Sequence, residues 1–334
     1  MIFQPAIIAL MLAAGLSLFM LLVAAPFAVQ LIRHWDIASG SERQLHLERL
    51  TYLFSTLVAF VCLIQILAAL LFVFNADKMS VMFVGAMCAV GALNVNEFGF
   101  PALYLQLGLF FLATAWLAIN HVDSRARDYP LVKLKYALLL AGIPLFAASL
   151  ALQLEYFLGL KADVITSCCG SMFSADAPTL ASEVGSLEPK PALLTFYGTL
   201  AAAILLAGWH WRRRDNLSGY AAGLGAAVAF MASIAGILAF VSLYIYEHPH
   251  HHCPFCILKP DYDYRGYWLY IPLFVATAAG LSVGVLRLFA GRPSLAAAVP
   301  AVTQRLAAIA AVGFGIFAAI ASFMIWHSNL ILLE

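Results

Sequence analysis

Eight apolar runs, each long enough to form a membrane-crossing helix, constrain this chain more than any other feature. A helix needs about 20 apolar residues to cross the hydrocarbon core, and lipid leaves its backbone no outside hydrogen-bonding partner. The composition agrees, since 64% of the residues are hydrophobic and 10% are charged. We therefore predict an all-α polytopic membrane protein in which residues 1–334 form a single integral membrane domain. The predicted spans are 5–32, 52–74, 101–120, 134–158, 192–211, 218–245, 267–288 and 306–328.

Basic residues predict how these spans are oriented. Thirteen of the 18 lysines and arginines follow the first, third, fifth and seventh spans, and basic loops stay in the cytoplasm. Both termini and the loops at 161–190 and 247–265 then face outward. In a bacterial inner membrane, the location we expect, they face the periplasm. Tyrosines at the outer ends of the sixth and seventh spans are typical of an aromatic belt at the lipid headgroups: Tyr244, Tyr246, Tyr262, Tyr264, Tyr267 and Tyr270.

Residues 79–100 do not fit the pattern of a span. Their apolar part, from Val81 to Leu93, is too short to cross the bilayer and is followed by polar residues such as Asn94 and Glu97. Irregular backbone at membrane depth needs cover from protein. We predict an interfacial or re-entrant segment on the outer side, which brings Cys88 toward the outer loops.

The loop at 247–265 contains the densest group of metal-binding side chains. Its first ten residues include four histidines and the Cys253-Pro254-Phe255-Cys256 motif. Imidazole nitrogen beside thiolate sulfur suits zinc or copper better than magnesium or calcium. We therefore predict metal ligands at Cys253 and Cys256, assisted by His250, His251 and His252. The Cys-x-x-Cys motif with an intervening proline also resembles the active-site motif of thioredoxin-like proteins.

A second outer loop carries the adjacent pair Cys168 and Cys169. A disulfide between neighbouring residues is strained, because their Cα atoms are closer than a standard bridge requires. We therefore expect both cysteines to bind a metal or to pair with a cysteine elsewhere. Adjacent cysteines on membrane spans resemble those of bacterial mercury importers. With Cys88 as an additional transfer ligand, the predicted metal-ligating cysteines are Cys88, Cys168, Cys169, Cys253 and Cys256.

Three functions are compatible with these outward cysteines. The first is binding, delivery or transport of copper or zinc, which the histidines favour. The second is an enzyme that exchanges electrons between thiols and a quinone, with Cys253, Cys256, Cys168 and Cys169 as the redox residues. Its two cysteine pairs in two outer loops resemble the arrangement in membrane oxidoreductases that generate disulfides. The third is a subunit of a membrane complex whose cysteines form structural disulfides only.

The partners that these functions imply are the lipid bilayer and a periplasmic metal chaperone or thiol protein. Additional membrane subunits, or an ATPase docked on the arginine-rich inner face, would supply an energy source, since the sequence has no nucleotide-binding loop. The net charge of +1 gives no reason to expect nucleic acid. The segments around Asn94, Cys168 and Cys253 resemble those of an uncharacterised bacterial multi-pass family, a resemblance that implies no known activity.

Overall fold

A computed structural model of the chain describes residues 3–161, 164–166, 180–185 and 187–332. Eight of its helices are long and apolar enough to cross a membrane. Within the described ranges there is no β-strand, only an isolated bridge between Val84 and Ile165, so the all-α prediction is confirmed. The helices are α1 (Pro5–His34), α2 (Glu42–Met79), α3 (Ala89–Leu93), α4 (Gly99–Asp123), α5 (Val132–Leu158), α6 (Leu180–Gly185), α7 (Pro189–Arg213), α8 (Asn216–Tyr246), α9 (Arg265–Arg287) and α10 (Ala298–Trp326).

Each predicted span corresponds to one long helix, but two helices begin well before their apolar runs. Helix α2 begins at Glu42 rather than near residue 52, and α10 begins at Ala298 rather than near residue 306. Hydrocarbon thickness limits the apolar run, whereas a helix continues through polar residues as long as they favour it. The first turns of α2 are polar, whereas α10 begins with the apolar residues Ala298 and Val299.

The chain forms two compact units, and the first contains residues 1–75, 95–161 and 291–298. In this unit α5 packs against both α1 and α4. The ring of Phe27 stacks on Phe54, with a centroid distance of 4.5 Å, and contacts Tyr136 edge-on. At one end of the α4–α5 pair, Lys135 and Asp123 form a buried ion pair with a 2.9 Å separation.

The second unit contains residues 76–94, 162–290 and 299–334 and includes the loop at 247–265. Helix α8 packs against α7 and α9. A Cβ placed on Gly223 would lie 2.9 Å from the Cα of Gly284, so α8 and α9 approach closely. Small residues at intervals of four, here Gly219 with Gly223 and Gly280 with Gly284, permit such contacts between membrane helices. Helix α8 also contains a π-helical turn at Ile237–Val241.

The segment at 79–100 contains no helix long enough to span a membrane. A 3-10 turn at Ser80–Met82 follows α2, and the five-residue helix α3 comes next. Every residue of α3 is buried. Val81, Val84 and Met87, which precede α3, are exposed. Protein therefore covers α3 but not the whole segment, whose location at the outer interface stays a prediction.

Candidate metal centre

Three thiols meet in the second unit. The Sγ atoms of Cys88, Cys253 and Cys256 all lie within 4.8 Å of one another. The sulfurs of Cys88 and Cys253 are 3.4 Å apart, well beyond the roughly 2.05 Å of a disulfide bond. Cys88 and Cys253 are 0% exposed and Cys256 is 3% exposed. Side chains from two segments that are far apart in sequence thus form one buried cluster, which we call the thiol cluster.

The backbone around Cys88 is fixed by the beginning of α3. Cys88 is extended, with φ −154° and ψ −173°, and its carbonyl accepts a hydrogen bond from the Ala92 N–H at 3.3 Å. The buried Asp77 carboxylate, near the end of α2, accepts a hydrogen bond from the Ala89 N–H. Asp77 therefore holds the residue next to Cys88, and the charge of Lys259 acts on the same carboxylate.

Thr166, from a different part of the chain, is hydrogen-bonded to the segment that carries Cys88. Its N–H donates to the Val84 carbonyl and its Oγ1 donates to the Gly91 carbonyl, each at 3.0 Å. The carbonyl of Thr166 lies 2.3 Å from where a Cβ on Gly85 would be, and Gly85 has φ +86°. Glycine tolerates this left-handed conformation at no steric cost. The close approach of the backbone at Gly85 to the backbone at Thr166 therefore depends on the glycine.

Two tyrosines hold the loop that carries the other two thiols. Tyr246, the last residue of α8, donates its hydroxyl hydrogen to the Cys253 carbonyl. Tyr270 on α9 donates to the Pro254 carbonyl at 2.7 Å. Cys256 begins a 3-10 turn, and the next residue, Ile257, is buried in the hydrophobic core of the unit. The Cys253–Cys256 loop is thus attached to both of the helices that flank it.

The histidines of this loop have other partners. His252 Nδ1 donates to the Leu238 carbonyl at 2.9 Å, and the His251 ring lies against the Tyr246 ring with centroids 4.1 Å apart. His248 and His250 are exposed, and their ring centroids are 6.0 Å apart. In the part of the chain that the structure describes, the thiol cluster consists of three cysteines, and the predicted auxiliary ligands His250, His251 and His252 are not members.

The adjacent cysteines Cys168 and Cys169 lie outside the described residues, so their predicted role as ligands stays a prediction. Cys62 is buried in α2 within the first unit and belongs to the hydrophobic core there.

The sulfur positions fit a single soft ion. Thiolates bind zinc at about 2.3 Å, which puts two sulfurs on one ion about 3.8 Å apart in tetrahedral geometry and about 4.0 Å apart in trigonal geometry. The Cys88–Cys253 sulfur separation of 3.4 Å and the upper limit of 4.8 Å for the thiol cluster lie on either side of both values. The three sulfurs can therefore converge on one ion with only small movements.

Comparison of the chain with protein-family models, with curated proteins and with solved structures gives no match. The chemistry of the site is therefore inferred from its own residues.

The most informative of these that the sequence did not suggest is Asp77. The position of Asp77 at the end of an apolar run could have indicated its role, because an ionisable group at membrane depth is by default a candidate functional residue.

Proposed function

We propose that the thiol cluster binds one soft metal ion, copper(I) or zinc(II), in a membrane protein that binds, delivers or transports that metal. The observation that supports this most is the convergence of three buried sulfurs within 4.8 Å. Thiolate sulfur selects copper(I) and zinc over harder cations. Metal ligands must be deprotonated, and a bound cation offsets the cost of placing thiolate charge in a buried site.

Burial of the thiols favours a metal site over thiol–disulfide exchange. Exchange requires a thiolate to reach a disulfide sulfur of its partner, so reactive cysteines are accessible. The three clustered cysteines are at most 3% exposed. Coupling to a quinone would need the same access, and a purely structural role would not require three sulfurs to converge.

We further propose that Cys168 or Cys169 supplies a fourth ligand. Thr166, only two residues before Cys168, is hydrogen-bonded to Gly91, three residues after Cys88. Two extended residues span about 7 Å, so Cys168 can reach up to about 7 Å from Thr166. Three sulfurs alone would suit copper(I), whereas zinc in a structural site takes four ligands.

The orientation and the partners of the site complete the proposal. The distribution of basic residues supports an outward, periplasmic site in a bacterial inner membrane. His248 and His250 are exposed, which suits transient contact with an ion brought by a periplasmic metal chaperone or thiol protein. His251 and His252 would act as auxiliaries by holding the loop. An ATPase or a further membrane subunit would dock on the opposite, arginine-rich face.

Metal content of the detergent-purified protein tests the proposal. We expect about one copper or zinc ion per chain by mass spectrometry, falling at least about tenfold when Cys253 and Cys256 are both replaced by serine, because two thiolate ligands are lost. Cys62→Ser is the matched control, since Cys62 is also buried but belongs to the other unit. Full metal retention in the double variant would contradict the proposal.

X-ray absorption spectroscopy identifies the ion and its ligand number. Copper(I) held by the thiol cluster alone would show three sulfur neighbours at about 2.3 Å, and zinc would show four neighbours. If the fourth ligand is a sulfur of the second outer loop, Cys168→Ser or Cys169→Ser removes it. A spectrum dominated by nitrogen or oxygen neighbours would show that the ion binds elsewhere.

A further inference from the structure

A cavity of about 470 Å³ lies where α9 begins and α10 ends, separate from the thiol cluster. Its lining combines opposite charges with aromatic rings, namely Glu247, Arg265, Trp268, Phe323 and His327. The ring of His327 is stacked on Phe323, with centroids 5.6 Å apart. This volume lies within the range of about 300–1,000 Å³ that small-molecule sites occupy.

An apolar groove of about 750 Å³ continues from this cavity between α9 and α10. Trp268 and Ile320 line both spaces. Along α10 the lining extends from Ala308 to Ile320, about 18 Å of helix at 1.5 Å per residue. That is over half of the roughly 30 Å hydrocarbon core. At Gly313, a Cβ would lie 2.9 Å from the Cβ of Ala276, so contact between the helices closes the groove at its base.

The cavity presents one negative and one positive group. The Glu247 Oε1 accepts hydrogen bonds from both the N–H and the side-chain amide of Asn329, each at 3.0 Å. These bonds hold the pKa of Glu247 below its usual range, so the carboxylate is charged at neutral pH. The Arg265 guanidinium approaches Asp263 at 3.5 Å, in a pair exposed to solvent. Such exposed pairs contribute little, so Arg265 can exchange Asp263 for another anion.

We propose that this cavity and groove bind a zwitterionic phospholipid. Its ammonium group lies against Glu247, its phosphate lies against Arg265, and one acyl chain occupies the groove toward Val312. The headgroup of an anionic lipid such as phosphatidylglycerol has no ammonium group to lie against Glu247, and an uncharged headgroup would leave both protein charges without a ligand partner. This proposal does not depend on the metal site, since none of the three clustered cysteines lines either space.

Lipid retention by the full chain tests the assignment. The protein is reconstituted into nanodiscs that contain equal amounts of phosphatidylethanolamine and phosphatidylglycerol, released into mild detergent, and examined by native mass spectrometry. We expect one retained phosphatidylethanolamine per chain, preferred about fivefold over phosphatidylglycerol. Arg265→Gln should lower retention about fivefold, a loss of roughly 1 kcal/mol. Glu247→Gln should instead shift the preference to phosphatidylglycerol, because only the positive group remains.

Two further variants complete the test. Arg305→Gln removes an exposed arginine near the opposite end of α10 and should leave retention unchanged. Ile316→Trp should block the groove and lower retention without changing the unfolding temperature, since residue 316 is 48% exposed. Retained lipid that matches the nanodisc composition in every variant would show annular lipid only and overturn the proposal. A preference of the unaltered protein for phosphatidylglycerol would also overturn it.

Discussion

The loop between α8 and α9 keeps its shape through hydrogen bonds to its backbone carbonyls. Tyr246 and Tyr270 donate to consecutive residues, Cys253 and Pro254, from the two flanking helices. Buried carbonyls need such partners, because an unsatisfied polar group in an apolar environment is costly. The two hydroxyls therefore fix where the sulfur of Cys253 lies without contacting an ion themselves.

Replacing Tyr246 with phenylalanine should weaken metal binding without abolishing it. The change removes one hydrogen bond, worth about 1 kcal/mol, so we expect the affinity to fall about fivefold. Competition with a chromogenic copper(I) or zinc chelator measures this. Tyr52→Phe is the control, because Tyr52 lies on α2 with 79% of its surface exposed. An affinity of the Tyr246 variant equal to that of the unaltered protein would show that the hydroxyl does not position the site.

Residue chemistry explains which parts of the site could be predicted. The soft character of the Cys253 and Cys256 side chains is apparent from the sequence, and Cys88 was predicted as an additional ligand. The structure brings these three together. The roles of Tyr246 and Tyr270 were not foreseen, because tyrosines near helix ends are also typical of an aromatic belt. Sequence alone does not tell a tyrosine that faces lipid from one that bonds to a loop.

Among the structural elements, the segment from Ser80 to Leu93 depends most on a single residue. Gly85 adopts φ +86° and lies against the carbonyl of Thr166. Any residue with a Cβ would be strained there and would also collide with that carbonyl. The position of Cys88, three residues further on, therefore depends on a contact with a loop about 80 residues away, at Thr166.

Gly85→Ala should separate these two pieces of chain and weaken the metal site. Alanine at a positive φ costs more than the 0.4–1 kcal/mol that it contributes at compatible sites. We expect a lower unfolding temperature and a loss of bound metal of at least about fivefold. Gly15→Ala, in α1, is the control because a Cβ there meets no atom within 4 Å. If both variants keep the metal equally, Gly85 does not maintain the site.

Helices were easier to predict than their ends. Apolar runs indicate where lipid surrounds the chain, and all eight spans correspond to helices. The early start of α2 was not predicted, because polar residues outside the hydrocarbon carry no signal in hydropathy. Ten residues of α2 before the predicted span, including Glu42, Arg43 and Glu48, are helical. Their helix propensity was the only indication.

At the scale of the whole molecule, the proposed orientation has a direct test. Single cysteines are introduced at two exposed positions, Ala38 between α1 and α2 and Asp261 before α9, in a Cys168→Ser, Cys169→Ser background. A membrane-impermeant maleimide applied to spheroplasts should label the residue-261 cysteine at least about tenfold more than the residue-38 cysteine, because basic loops face the cytoplasm. Permeabilising the membrane should equalise the labelling. The reverse order would place the thiol cluster in the cytoplasm.

The arrangement of the spans could not be predicted from composition. Lipid tails are as apolar as leucine, so hydropathy does not distinguish a helix face in contact with lipid from one that packs on another helix. Contacts such as Gly223 with Gly284 follow from small residues at intervals of four, which are also common elsewhere in the chain. The two compact units became apparent only from the three-dimensional contacts.

The π-helical turn at Ile237–Val241 sets the rotational phase of the end of α8. A regular helix turns about 100° per residue, so the additional residue held in a π turn rotates everything after Val241 relative to everything before it. The glycine face at Gly223 is thereby directed at α9 while Tyr246 is directed at Cys253. Deleting one residue from the turn would leave both faces intact in sequence but would change the angle between them about the helix axis. The protein could then keep the packing of α8 on α9 or the contact of Tyr246 with the loop, but not both.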